Sequence, residues 1–163
     1  MYLWSALKNL GNRLQRVLSH DRRQEILALL GREYVDKMKD SRKYRLHAKQ
    51  MRYKHFRDRL LRIADEEEKH SQWLKDRIIA LGGEIPQITS TLDDGWNSWE
   101  DLRLDLTEEK RHEWHLRDQL PMVERFDPQT AGILRRILTE ESNHRDLITD
   151  MLMRSDPQAE LTL

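Results

Sequence analysis

The chain has 163 residues, the usual size of one domain, with six Gly, four Pro and no Cys. Charged residues make up 36% and hydrophobic ones 37%, a composition of long amphipathic helices rather than of a sheet protein; the missing cysteine excludes disulfides, thiolate zinc sites and iron–sulfur clusters. Lys plus Arg and Asp plus Glu both number 29, which removes any global electrostatic case for nucleic acid, and with no apolar run near the roughly 18 residues of a membrane span the default location is cytoplasmic.

Residues 2 to 18 carry Leu3, Trp4, Leu7, Leu10, Leu14, Val17 and Leu18 at helical spacing. Residues 1–19 therefore read as an amphipathic accessory helix that packs on the main bundle or on a sister subunit. A membrane-surface contact, which Trp4 and the basic residues permit, is the lesser alternative. Ser19 or Asp21 can cap the next helix, whose inward positions are Ile26, Leu30, Glu33, Lys37, Tyr44, Ala48 and Met51. From Asp21 to Leu81 only Gly31 interrupts the pattern, and one helix of that length would be about 90 Å long, so the chain is expected to fold back near residues 49 to 53. The basic stretch from Lys37 to Arg62 reads as a solvated helix face.

A second helix is predicted from about Lys54 to Leu81, ended by Gly82 and Gly83. The segment from Gly82 to Gly95, GGEIPQITSTLDDG, can reach about 46 Å when extended, against about 30 Å for a 20-residue helix. It can return the chain to its starting end and make helices two and three parallel. Helix three follows from Trp96 to about Leu120, with Trp99, Leu102, Leu106, Glu109, Glu113, Leu116 and Leu120 on one face and Pro121 weakening its continuation. Asp127 and Pro128 read as the cap and first-turn residue of helix four, which ends near Arg154 and leaves 156–163 as a tail. The expected fold is all-α: a four-helix bundle over 20–155 with one long crossover between helices two and three.

Two copies of Glu-x-x-His, Glu67/His70 and Glu141/His144, stand 74 positions apart inside an internal repeat. Leu60, Arg62, Ile63, Glu66, Leu74 and Ile78 align with Leu134, Arg136, Ile137, Glu140, Ile148 and Leu152. Residues three apart share a helix face, and here that face is the apolar one. A buried carboxylate destabilises by several kcal/mol unless it is paired or bound to a cation, which makes a metal its natural partner. In four-helix carboxylate sites two helices each give a Glu-x-x-His and the other two one Glu each. Helix one offers Glu33, 34 residues before Glu67; helix three offers Glu108 and Glu109, 33 and 32 residues before Glu141. The charges of Glu33, Glu67, Glu109 and Glu141 balance two divalent ions, with His70 and His144 as neutral ligands, and such a donor set suits iron or manganese. Glu109-x-x-His112 repeats the spacing a third time, but His112 and His115 read as rim or surface residues. No role is assigned to His20, His47 or His55, and Trp73, Trp96, Trp99 and Trp114 read as core or interface aromatics.

In ADEEEKH around Glu67 and RRILTEESNH up to His144 the chain resembles the ferritin-like superfamily, especially its rubrerythrin and bacterioferritin branches, over roughly residues 21 to 154. In that family the Glu of each odd helix is commonly followed seven residues later by an inward Tyr. Counting back from Tyr44 gives Lys37 rather than Glu33, and the related pattern puts Lys110 beside Glu113; this alternative register implies a single metal or none. The first functional expectation is a di-iron or di-manganese oxidoreductase that oxidises Fe(II) and reduces dioxygen or peroxide. Its electrons would come from iron itself or an external donor protein, and it would assemble as a homo-oligomer. The second is a metal-free or single-metal helical module that holds a partner through its basic helix one and its N-terminal helix, with Lys37 or a neighbouring Arg as counter-ion.

Overall fold

The computed structural model describes the backbone of residues 2–89 and 98–155 and the side chains of 20–89 and 99–155. Four helices follow one another: α1 (Tyr2–Gln50), α2 (Lys54–Ala80), α3 (Ser98–Phe126) and α4 (Pro128–Arg154). No break falls at Ser19 or Asp21, so the expected accessory segment continues directly into α1. Its apolar stripe and Trp4 lie outside the described side chains, as do Trp96 and the tail.

The fold-back between α1 and α2 falls at residues 51–53, where Tyr53 is extended and its carbonyl accepts from the amides of Phe56 and Arg57. Burial of Met51 and Phe56 beneath this turn holds it without Gly or Pro. Gly82 has φ +68, the left-handed backbone that a glycine adopts freely, and its amide and that of Gly83 reach the carbonyls of Ile79 and Ile78 at 2.8 and 2.9 Å, closing α2. Arg23 of α1 donates its Nε to the Leu81 carbonyl at 2.9 Å and ties the first helix to this end.

Cross-helix polar pairs give the helix directions. Arg45 meets Asp65 and Glu68 while Ser71 meets Met38, so α1 and α2 are antiparallel. Asp40 faces His112 and His47 faces Asp105, so α1 and α3 are antiparallel. Arg59 meets Asp150 and Arg77 meets Asp127, so α2 and α4 are antiparallel. Helices α2 and α3 are consequently parallel, which the long crossover makes possible. The main hairpins are α1 with α2 and α3 with α4.

Helix α3 runs through Pro121 rather than stopping before it. A proline in a helix interior destabilises by about 3 kcal/mol. Here its ring lies on the exposed face, while the turn it continues buries Val123 and packs Leu120 and Met122 against the core. Such burial, about 1.5–3 kcal/mol per large apolar side chain, outweighs the penalty.

Two apolar clusters fill the bundle. One contains Ile26, Leu30, Leu74, Ile78, Leu116, Val123, Leu134 and Ile137; the other contains Tyr44, Met51, Phe56, Leu60, Ile63, Leu102, Ile148 and Met151. Between them lies a buried polar layer of Glu33, Lys37, Glu67, His70, Glu109, Glu141 and His144. Among the described residues no helix is long and apolar enough to cross a membrane.

Candidate metal centre

All six residues expected as ligands, Glu33, Glu67, His70, Glu109, Glu141 and His144, are buried in this layer, none more than 5% exposed. They are not equivalent. Glu67, Glu109 and His144, from three different helices, each bring a ligand atom within 4.8 Å of the other two. Glu33 and Glu141 stay outside that group, and His70 approaches it only through Glu67, with Nδ1 at 3.4 Å from Oε2.

Each imidazole is held from outside by a carboxylate of the opposite helix. His70 Nε2 donates to Glu140 Oε2 at 2.9 Å, and His144 Nε2 donates to Glu66 Oε2 at 2.7 Å. These two bonds are related by the internal repeat, since Glu66 aligns with Glu140 and His70 with His144. An outer carboxylate fixes ring orientation and turns Nδ1 toward the centre, the arrangement that prepares histidine for a metal. The two rings stack with centroids 5.9 Å apart. Glu66 and Glu140 carry a signal in the sequence, their place in the repeat, but beside the Glu-x-x-His pairs they look like surface residues.

The repeat symmetry breaks at Lys37. Its fully buried ammonium lies 3.2 Å from Glu67 Oε2, in ion contact with Glu141 Oε1, and 4.0 Å from Asp40 Oδ2. None of these contacts has hydrogen-bond geometry, so Lys37 Nζ and both Glu141 oxygens are in no directed hydrogen bond with a described residue. Burial pulls the Lys37 ammonium toward neutrality, but Glu141 and Glu67 more than offset it and hold it firmly charged. Lys37 is also seven residues before Tyr44, whose hydroxyl donates to Glu109 Oε1 at 2.5 Å. Burial, with Glu109 close by, keeps that phenol protonated and therefore a donor. Glu109 Oε2 has no hydrogen-bond partner among the described residues.

Protonation is distributed unevenly. Burial raises Glu33 to about 7, against the opposing pull of Lys37, and raises Glu109 to about 8 with the help of Glu67. Burial acts on Glu67 in the same sense, yet Lys37 and the two imidazoles overcome it and keep this carboxylate well below its ordinary range. For His144 the hydrogen bond and charge of Glu67 outweigh burial and raise the ring to about 9.

The oxygen and imidazole donors of Glu67, Glu109 and His144 fit a divalent ion. A second ion shared between Glu67 and Glu141 would meet the ammonium; at 4 Å and an effective dielectric of about 20, an ammonium and a divalent cation repel by about 8 kcal/mol. With one ion, the charges of Glu67, Glu109 and Glu141 cancel those of Lys37 and the ion, while Glu33 keeps its proton. Lys37 is the residue that the alternative register, counted back seven from Tyr44, puts at this point.

Neighbouring expectations are corrected. The basic stretch from Lys37 is not uniformly a solvated face, because Lys37 and Lys43 are both buried. Lys43 reaches Asp40 at 3.2 Å, Asp105 at 3.4 Å and Glu108. His112 sits part-buried at the α1–α3 seam, Nδ1 3.3 Å from Asp40 Oδ2, and His47, which the sequence gives no role, is fully buried with Nδ1 2.9 Å from Asp105 Oδ2. Lys110 is exposed, and Glu113 is taken by Arg117 and Arg145, so neither faces the centre. Trp114 is 70% exposed rather than core, while Trp73 is clamped between Lys69 and Arg136, 5.0 and 4.2 Å from its ring centroid. A surface hollow of about 550 Å³ beside Trp73, between α2 and α4, includes none of the six candidates.

Two antiparallel hairpins closed around a carboxylate–histidine layer define a ferritin-like bundle. The chain belongs to the ferritin-like domain family, whose family model matches residues 41–155. Among solved structures it is similar to BfrA from M. tuberculosis, at TM-score 0.74 and 23% identity over 79% of this chain and 83% of that one. A second structure, of the Mycobacterium tuberculosis bacterioferritin BfrA, matches at TM-score 0.74 and 24% identity over 80% and 85%. Comparison with curated proteins gives no match.

Proposed function

We propose that this chain is an iron-handling ferritin-like protein that binds ferrous iron at Glu67, Glu109 and His144 and passes its electron to dioxygen or peroxide. The observation that carries this reading is the convergence of those three buried ligands from three helices. The bacterioferritin named among the similar structures supports it. Manganese suits the same oxygen and imidazole donors.

Iron is the substrate in this reading. Each ferrous ion gives up one electron; peroxide takes two electrons and two protons to become water, and dioxygen takes four of each. The absence of cysteine means that electrons come from successive ferrous ions or from an external donor protein. The chain's own residues do the positioning. Glu66 holds the His144 ring, Tyr44 fixes Glu109 Oε1 and leaves Oε2 free, and Glu109 and His144 both release protons when a cation enters. Glu33, Glu141 and His70 are the remaining candidate ligands for arriving iron. Self-assembly belongs to the same proposal, with Trp114 and Met153, 70% and 82% exposed, as apolar surface for it.

Anaerobic titration with Fe(II), followed by air, tests this. Saturable binding and a ferric absorption band are expected, with affinity falling at least about 100-fold in Glu109→Ala and His144→Ala. Unsaturable binding that these variants leave unchanged overturns it. One observation favours a metal-free interaction module instead: Lys37 already neutralises charge between Glu67 and Glu141. The same titration separates the two readings.

A further inference from the structure

We propose that Lys37 is a built-in cation that stands where a metal ion would otherwise bridge Glu67 and Glu141, so that this chain holds one ion per bundle and carries the second positive centre in its own sequence. The inference rests on the reading that the centre binds a cation, and it concerns how many.

Geometry makes the argument. Glu67 and Glu141 are the repeat-related carboxylates of α2 and α4, and a symmetric centre would share a cation between them. The group found between them is the Lys37 ammonium, delivered from α1 and fully buried. A lysine that only neutralised a surplus glutamate would pair with one. This one contacts both, and Asp40 at 4.0 Å and Glu109 complete its anionic surroundings. Glu67 divides its oxygens accordingly: Oε2 faces the ammonium, while Oε1 lies 3.0 Å from His144 Nδ1, in the group that Glu109 completes. Glu33, one turn before Lys37 on α1, is buried and close enough to feel both Lys37 and Glu141.

The test is ion stoichiometry measured with Mn(II) alone, counting the free ion by its paramagnetic signal. The wild-type chain is expected to saturate at one Mn(II). Lys37→Glu should saturate at two, with a spectrum of two coupled ions, and its melting temperature should lie below wild type without Mn(II) and rise toward it when the ion is added. If Lys37→Glu does not fold, Lys37→Gln removes the charge at similar volume; it should accept a second Mn(II) at least tenfold more weakly than the first. Two ions bound tightly by the wild-type chain, or a folded Lys37 variant that gains none, overturns the proposal. Failure of the parent reading looks different: the wild-type chain binds no Mn(II), His144→Ala changes nothing, and Lys37→Glu still gains an ion.

Discussion

Glu33, Glu109 and His144 share a direction: each holds its proton more tightly in the folded chain than its ordinary side-chain value allows, to about 7, 8 and 9. A raised folded value stabilises fully below the unfolded value, 4.5 for the glutamates and 6.5 for the histidine, and that stability is lost as pH rises through the folded one. The ion-free protein should therefore melt lower at pH 9 than at pH 6, by about 5 °C or more for a chain of this size. A bound divalent ion displaces the protons on Glu109 and His144, so its stabilising effect should grow over the same interval. Calorimetry with and without Mn(II) at three pH values measures both slopes, and parallel slopes would remove the cation from this group. The burial of the six candidate ligands is legible in the sequence, because helical spacing and the repeat turn them inward. The electrostatic partners were less so. Lys37 falls on the inward face but within a basic run, and Asp101, Asp105 and His47 look like surface residues until α1 and α3 are brought together.

At the scale of elements, the α2–α4 joint shows how a local cap is tied into the tertiary structure. Asp127 accepts from the Thr130 amide at 3.1 Å at the start of α4, and Arg77 near the end of α2 donates Nη2 to its two oxygens at 2.8 and 2.7 Å. Arg77 further reaches Thr130 Oγ1 and Gln129 Oε1. Asp127→Ala removes the cap and strands the guanidinium, so it should destabilise by about 2–3 kcal/mol, seen as a fall in melting temperature of about 4–12 °C with Mn(II) stoichiometry unchanged. A fall under about 1 °C would mean that the fork is screened by water. Element boundaries were readable wherever the chemistry was local: Gly82 after α2, Asp127 and Pro128 before α4. They were not readable where tertiary packing decides, because the burial that carries α3 through Pro121 comes from other helices. All seven inward positions assigned to helix one are buried, since a single face was enough to define them.

The whole molecule consists of two hairpins, and its central layer draws Glu67 from one and Glu109 and His144 from the other. Lys37 reaches across in the same way, from α1 to Glu141 on α4. Neither hairpin by itself therefore carries Glu67, Glu109 and His144 together, however helical it has become. Each hairpin rests on contacts close in sequence, while the centre needs residues as far apart as Lys37 and His144, and such distant contacts form late. In a refolding time course followed with Co(II), far-ultraviolet ellipticity should recover first and the visible ligand-field bands should emerge only in the final phase. Bands present at the earliest resolvable time would mean that one half chelates alone. The colour of the cobalt would then act as a clock for the docking of the two halves, blind to everything the chain does before they meet.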